Sequence, residues 1–219
     1  QGLESTFGIA ATVIQADLAT DAGCKTIEDF IANNQIDVLI NNAGFGINKA
    51  FTMSDLAKEE EVLKVLVRTP MRLMHVALPA MKERNSGVVI NVSSVASYIA
   101  GGAYSASKAG IVALSESLLS ELAPFGVTVS VVCPASFPSN LLSTIRSSSA
   151  DGVKVAGKLM ARSPVSADDI ATRVYNDSRK GRHIIIPHFR KRILWKLKYY
   201  LPVFYFIFMK NLVHKIVSY

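Results

Sequence analysis

Tyr104 and Lys108 stand four positions apart in the stretch Tyr104-Ser105-Ala106-Ser107-Lys108, and no other pair in the chain is better suited to proton chemistry. On a helix that spacing projects both side chains from one face, one turn apart. A phenol with an ordinary pKa of about 10 is a poor acid or base at neutral pH, and a nearby cation pushes that value toward a useful range. Upstream, Ser94 follows the apolar run 87–92. A hydroxyl at a strand end can hydrogen-bond a substrate oxygen while the tyrosine exchanges a proton with it. The chemistry implied is acid–base work on an alcohol or carbonyl oxygen.

The elements that must position these groups follow from hydropathy. Residues 11–15 and 36–40 are apolar runs, closed by Ala16-Asp17-Leu18 and by Asn41-Asn42-Ala43-Gly44, with helical spacing over 24–33 between them. Residues 59–81 repeat apolar positions every three or four, and the β-branched run 87–92 follows. The plan recurs as a helix over 106–122, a break at 124–126 and a strand over 127–132 stopped by Cys133-Pro134. Ser166 is placed as the N-cap of a further helix with Asp169 at its third position, and 183–186 reads as a last short strand. Strands without polar alternation imply burial on both faces, hence an α/β fold: a doubly wound parallel sheet that takes ligands at the carboxyl ends of its strands.

Half the 219 residues are apolar, which excludes a disordered or fibrous chain. Cys24 and Cys133 are far apart in apolar or helical settings, so buried thiols in a reducing compartment are expected, with neither a disulfide framework nor a thiolate metal site. The four histidines have no metal-ligand spacing, and no metal is expected. The net charge of +7 is uneven: ten Lys and Arg and no acid follow Asp177, leaving −3 for residues 1–178. Those cations lie among aromatic and aliphatic residues, which points to a membrane surface and away from nucleic acid. The chain opens on Gln1, without a basic start or an apolar signal core, and reads as beginning late.

Asn41-Asn42-Ala43-Gly44, Asn91-Val92-Ser93-Ser94, Tyr104 with Lys108, and Pro134 after a strand occur in the order found in short-chain dehydrogenases/reductases, and the chain resembles that family over about residues 3–187. The resemblance implies a Rossmann-like sheet lacking its first strand–helix units, in a domain of residues 1–189, with a C-terminal amphipathic helical extension over 190–219. It implies Tyr104 as general acid/base, Lys108 holding the nicotinamide ribose and lowering the tyrosine pKa, and Ser94 orienting the carbonyl. For the cofactor, NADP or NAD, it implies Asp17 near the adenine, Asn41, Ala43 and Gly44 steadying the sheet and lining the cofactor, Tyr104 and Lys108 at the ribose, and Pro134 with Ala135 beside the nicotinamide. A homo-oligomer is also implied. Read from the residues alone, Asp17 serves equally as a loop acid or helix cap, and Asn42 equally as a turn former.

Three departures stand out. The family's opening strand and glycine-rich phosphate turn would precede Gln1, and the Gly44-Phe45-Gly46 pair does not replace that turn. Leu66 occupies the position of a family asparagine that helps hold a relay water, so reduced turnover is expected. The segment 95–103 is about three residues short, so Gly101-Gly102 must turn tightly onto the helix.

Cationic and aromatic residues flank the apolar run 201–209, which contains Pro202 and is too short to span a bilayer. Two readings stay open: an interfacial helix on anionic lipid, or a helix packed over the substrate cleft or at a dimer interface. The expectation is a cytoplasmic NAD(P)-dependent oxidoreductase, peripheral at a membrane in the first reading, that interconverts a secondary alcohol and a ketone. Phe137, Leu141 and Leu142 suggest a hydrophobic or lipid-like substrate. The rival is a non-catalytic binding or scaffold protein on the same fold.

Overall fold

The computed structural model describes residues 2–47, 50–99, 102–139, 157–158, 160–161, 163–207 and 209. Four parallel strands, β1 (Val38–Asn41), β2 (Gly87–Val92), β3 (Val127–Val132) and β4 (Ile184–Ile185), lie side by side in chain order. Leu39 stands opposite Val89, and Val89 opposite Val129, so β-branched and aliphatic side chains meet across the sheet. The helices that connect and flank the strands are α1 (Gly2–Phe7), α2 (Asp21–Ala32), α3 (Leu56–Leu63), α4 (Thr69–Glu83), α5 (Gly102–Leu122), α6 (Ala167–Ser178) and α7 (Phe189–Tyr200).

Local signals account for the helix starts. Thr20 and Asp55 cap α2 and α3 by accepting from the backbone N–H of Gly23 and Ala57, and Ser166 and Asp169 form the expected capping box of α6. Expected as one helix over 59–81, the third helical stretch is α3 and α4 joined by a π turn at Lys64–Arg68. α5 begins four residues earlier than its apolar pattern, at Gly102, whose φ of 62° is the left-handed turn expected of a glycine there. Gly101 lies outside the described residues.

One face of the sheet holds most of the core: Met74 and Met81 of α4 with Ile111 and Leu122 of α5 pack on Leu39, Val89 and Val129. Arg72 of α4 ties α2 to this layer by pairing with Glu28 at 2.8 Å and Asp21 at 3.2 Å. On the opposite face, Ile90, Val132 and Ile185 pack with Val174 of α6. Because α6 packs on β3 and β4, the same face of β1 is open, with Val38 and Ile40 more than half exposed. Burial on both faces therefore holds for β2 and β3 and fails at β1.

The strand expected over 11–15 is absent. This segment runs irregularly and leaves Val13 90% exposed. An apolar alternation becomes a strand only where a ladder partner takes up its N–H and C=O groups, and none of the four strands pairs with it. Both cysteines are free and buried, as expected. No helix among the described residues is long and apolar enough to cross a membrane.

Candidate active site

The carboxyl ends of β1, β2 and β3 converge on the first two turns of α5. Val92, the last residue of β2, accepts a hydrogen bond from Lys108 Nζ at 2.7 Å through its carbonyl. The next residue, Ser93, donates its hydroxyl to the Lys108 carbonyl at 2.7 Å, so the strand end grips both ends of that lysine. Ser94 then caps the 3₁₀ turn Val95–Tyr98 by accepting from Ala96 N–H at 3.1 Å. Its hydroxyl lies near enough to the Tyr104 phenol to favour the ionised form. Ser94, Tyr104 and Lys108 are thus brought together, and the short segment after Ser94 does not prevent it.

The electrostatics differ from the sequence-based expectation. Burial holds the Tyr104 phenol above its ordinary pKa, and the Ser94 hydroxyl, not Lys108, is the group that opposes the rise. Lys108 Nζ lies 5.8 Å from the centre of the Tyr104 ring, beside its π face. The ammonium is itself buried, and desolvation pulls its pKa down to about 8. No carboxylate pairs with it among the described residues, so its charge is uncompensated.

Asn41, Ala43 and Gly44 form the exit from β1. Asn41 donates its amide to Asn91 Oδ1 at 2.8 Å, and Asn91, fully buried in β2, passes its own amide to Ser115 of α5 at 2.9 Å. Asn41 therefore supports the sheet. Asn42 and Ala43 are exposed. At Gly44 the backbone passes so close to the helices that a Cβ would stand 2.7 Å from Leu66 Cδ2 and 3.9 Å from Lys108 Nζ. Leu66 itself is buried on the π turn with Phe45, Val62 and Val65, and Tyr104 packs against that cluster.

Asp17 takes its local role: its carboxylate accepts from Ala19 N–H at 3.0 Å and its carbonyl from Thr20, shaping the turn into α2. The adjoining Leu18 and Ala19 pack on the Phe45–Leu66 cluster, so this turn borders the site. Pro134 follows β3, and its carbonyl accepts from Val95 N–H at 2.9 Å. Ala135 donates its N–H to His188 Nδ1 at 3.2 Å. Accepting at Nδ1 leaves the ring proton of neutral His188 on Nε2, which is buried without a partner among the described residues. Leu141 and Leu142 lie outside the described residues.

Ser93, Asn91, Ser115 and His188 are absent from the sequence-derived site. A lone asparagine in an apolar run was the legible sign at Asn91; nothing in one sequence pairs His188 with Ala135. Among the described residues no three His, Cys, Asp or Glu side chains converge as metal ligands would.

Residues 1–150 match the family model for short chain dehydrogenases. A ketoacyl reductase of Nostoc sp. is 41% identical over 102 residues, 45% of this chain and 36% of the relative. An uncharacterized oxidoreductase of Thermotoga maritima is 32% identical over 172 residues, 74% of this chain and 66% of the relative. This chain thus spans between about a third and two thirds of these curated relatives. A Beutenbergia cavernae protein assigned as an NAD(P)-dependent gluconate 5-dehydrogenase, solved with NADP at low occupancy, superposes with a TM-score of 0.70 and 27% identity, covering 84% of this chain and 77% of that one.

Proposed function

The chain belongs to the short-chain dehydrogenase/reductase family, and from that premise we propose that it interconverts a secondary alcohol and a ketone with NAD(P) as hydride partner. The observation that carries the reading is the meeting of Ser94, Tyr104 and Lys108 at the end of β2. Tyr104 exchanges its phenolic proton with the substrate oxygen, Ser94 donates to that oxygen, and Lys108 supplies a fixed positive charge beside the phenol.

The residues fit the nicotinamide-ribose end of such a cofactor. A buried ammonium with one carbonyl acceptor and no carboxylate can donate to ribose hydroxyls. The closely approaching Gly44 backbone beside it supports the same assignment. Asn41, Ala43, Gly44, Tyr104, Lys108, Pro134 and Ala135 would border the cofactor, and Asp17 its adenine end. When bound, the nicotinamide gives or takes the hydride.

We take the substrate to be a hydrophobic or lipid-like ketone or alcohol, supported by Phe137 after the Pro134 loop and the apolar Phe45–Leu66 wall. The division into a domain over 1–189 and an extension over 190–219, assembly as a homo-oligomer and a reducing, cytoplasmic setting belong to the same proposal; the buried free thiols support the last. Location at the periphery of a membrane is taken up below. The second reading, a non-catalytic binder on this fold, draws on Leu66, which replaces a relay amide with an apolar wall.

The test is nicotinamide oxidation by the purified protein against hydrophobic ketones. Turnover that falls roughly 10²- to 10⁴-fold in Tyr104→Phe supports the enzyme; a variant matching the parent, or no turnover by folded protein that binds cofactor, favours the binder.

A further inference from the structure

α7 has two sides. Inward, Leu194 and Trp195 pack on the cluster of Tyr98, Val112, Val131 and Cys133. Lys198 Nζ and Tyr98 Oη donate to the carbonyls of Ser97 and Lys191, both at 3.3 Å, so α7 is fastened to the 3₁₀ turn that follows Ser94. Outward, large apolar side chains stand in water: Phe189 is 73% exposed and Tyr200 74%, with Ile193 between them, and past the break at Leu201 the helical residues 202–207 expose Val203, Phe204 and Phe206 as well.

The helix that carries this face contributes only positive charge: Arg190, Lys191 and Lys196 are its available cations, Arg192 and Lys198 are turned to the carbonyls of Ile186 and Ser97, and no Asp or Glu occurs in the sequence after Asp177. A second copy docked here about a two-fold axis would set like charges against like in a desolvated contact, which is unfavourable. A nucleic-acid backbone would satisfy the cations but leave the aliphatic and aromatic surface wet. An anionic bilayer answers both: acyl boundary for the apolar residues and phosphate for the ammonium and guanidinium groups.

We propose that the outward face of residues 189–207 docks in the interface of an anionic lipid bilayer, with Phe189, Ile193, Tyr200, Val203, Phe204 and Phe206 below the headgroups and Arg190, Lys191 and Lys196 among the phosphates. Fastening of α7 to the turn after Ser94 sets the candidate site beside the lipid, a consequence that rests on the oxidoreductase reading. The docking itself does not.

The experiment is co-sedimentation of the full chain with vesicles of phosphatidylcholine alone and of phosphatidylcholine with phosphatidylserine, at low and high salt. Binding to the anionic vesicles, weakened by salt, is expected. The triple variant Arg190→Gln, Lys191→Gln, Lys196→Gln should lower the partition on the order of 100-fold, at about fivefold per cation. Phe204→Ser with Phe206→Ser should weaken binding even at low salt, while circular dichroism of both variants matches the parent. Absence of binding to anionic vesicles overturns the proposal. So does binding that neither variant changes, a dimer that the Phe204 and Phe206 variant dissociates in place of lipid binding, or affinity for duplex DNA without affinity for vesicles.

Discussion

Lys108 Nζ and the carbonyl oxygen of Val92 are 2.7 Å apart, and this hydrogen bond fixes the lysine at the end of β2 with its charge buried and no carboxylate partner among the described residues. The position of the charge beside Tyr104 is therefore set by the sheet, not by helical spacing alone. Burying an ammonium this way disfavours the charged form, whose pKa falls to about 8.

Lys108→Met separates function from stability. Activity should drop by roughly 10²- to 10⁴-fold, yet the melting temperature should stay level or rise, because an apolar side chain of similar length removes an uncompensated buried charge. The two states bind different numbers of protons between pH of about 8 and the ordinary lysine value, the unfolded chain holding one more, so the parent's stability relative to the variant should increase with pH across that window. Chemical denaturation of both proteins at several pH values measures this. A parent that loses stability relative to Lys108→Met over the same range would contradict the buried, unpaired ammonium.

Leu66→Asn places a polar amide on the π turn, beside Gly44 and near Lys108. It should destabilise the fold by about 2 to 3 kcal/mol, since a buried aliphatic is exchanged for an amide with no prepared partner. If leucine limits proton relay, turnover should nevertheless rise several-fold. Thermal melts and steady-state kinetics on one preparation test the pair of expectations; a variant that is less stable and no faster removes the relay explanation.

Asn91→Ala should cost about 2 to 4 kcal/mol, because it breaks a buried chain that joins β1, β2 and α5 and leaves the Asn41 amide without its acceptor. Asn91→Asp keeps the acceptor for Asn41 and, once protonated, regains a donor for Ser115, so its loss should shrink as pH falls below the carboxylate range. Guanidinium titrations give both values. Equal losses for the two substitutions would mean that the hydrogen bond from Asn41 contributes little.

His188→Ala releases the N–H of Ala135 and should loosen the loop after β3, raising KM more than it lowers kcat, with a change of about tenfold in kcat/KM. Burial holds His188 below the ordinary histidine pKa. Its neutral form is the one that accepts from Ala135, so stability from this residue is fully present above the ordinary histidine value and is lost as pH falls below it through the lowered folded-state value. An Ala variant with unchanged KM, and with the parent's acid limb intact, would assign His188 a packing role only.

Much of the fold can be read from single elements. The runs that became β2 and β3 match their expected boundaries because each is six β-branched or small residues between clear breaks, and the Ser166–Asp169 cap is a local signal that needs no tertiary context. Residues 11–15 carry the same kind of signal and form no strand, since a ladder partner is a property of the sheet and not of the segment. The π turn escaped for a related reason: one extra residue in a helical turn barely alters apolar periodicity.

In the site, Ser94, Tyr104 and Lys108 were visible as types and spacing, and their meeting follows from strand and helix order. The direction of the Tyr104 shift was not visible, because it depends on how much water the Phe45–Leu66 cluster removes from the phenol. Asp17 is engaged in its own turn, the local role that its residue type also allowed.

α5 extends over 21 residues, about 30 Å of straight backbone. Its first turns bear Tyr104 and Lys108, its middle is clamped to the sheet by Ser115, and its last residue, Leu122, is sunk in the core. The pair proposed to handle the proton thus rides on a girder whose far half is anchored in the core. Surface loops can diverge between relatives without tilting it, whereas a cavity opened under Ile111 or Leu122 would move the chemistry from a distance, so losses of turnover at those positions would report on alignment rather than on lost reactive groups.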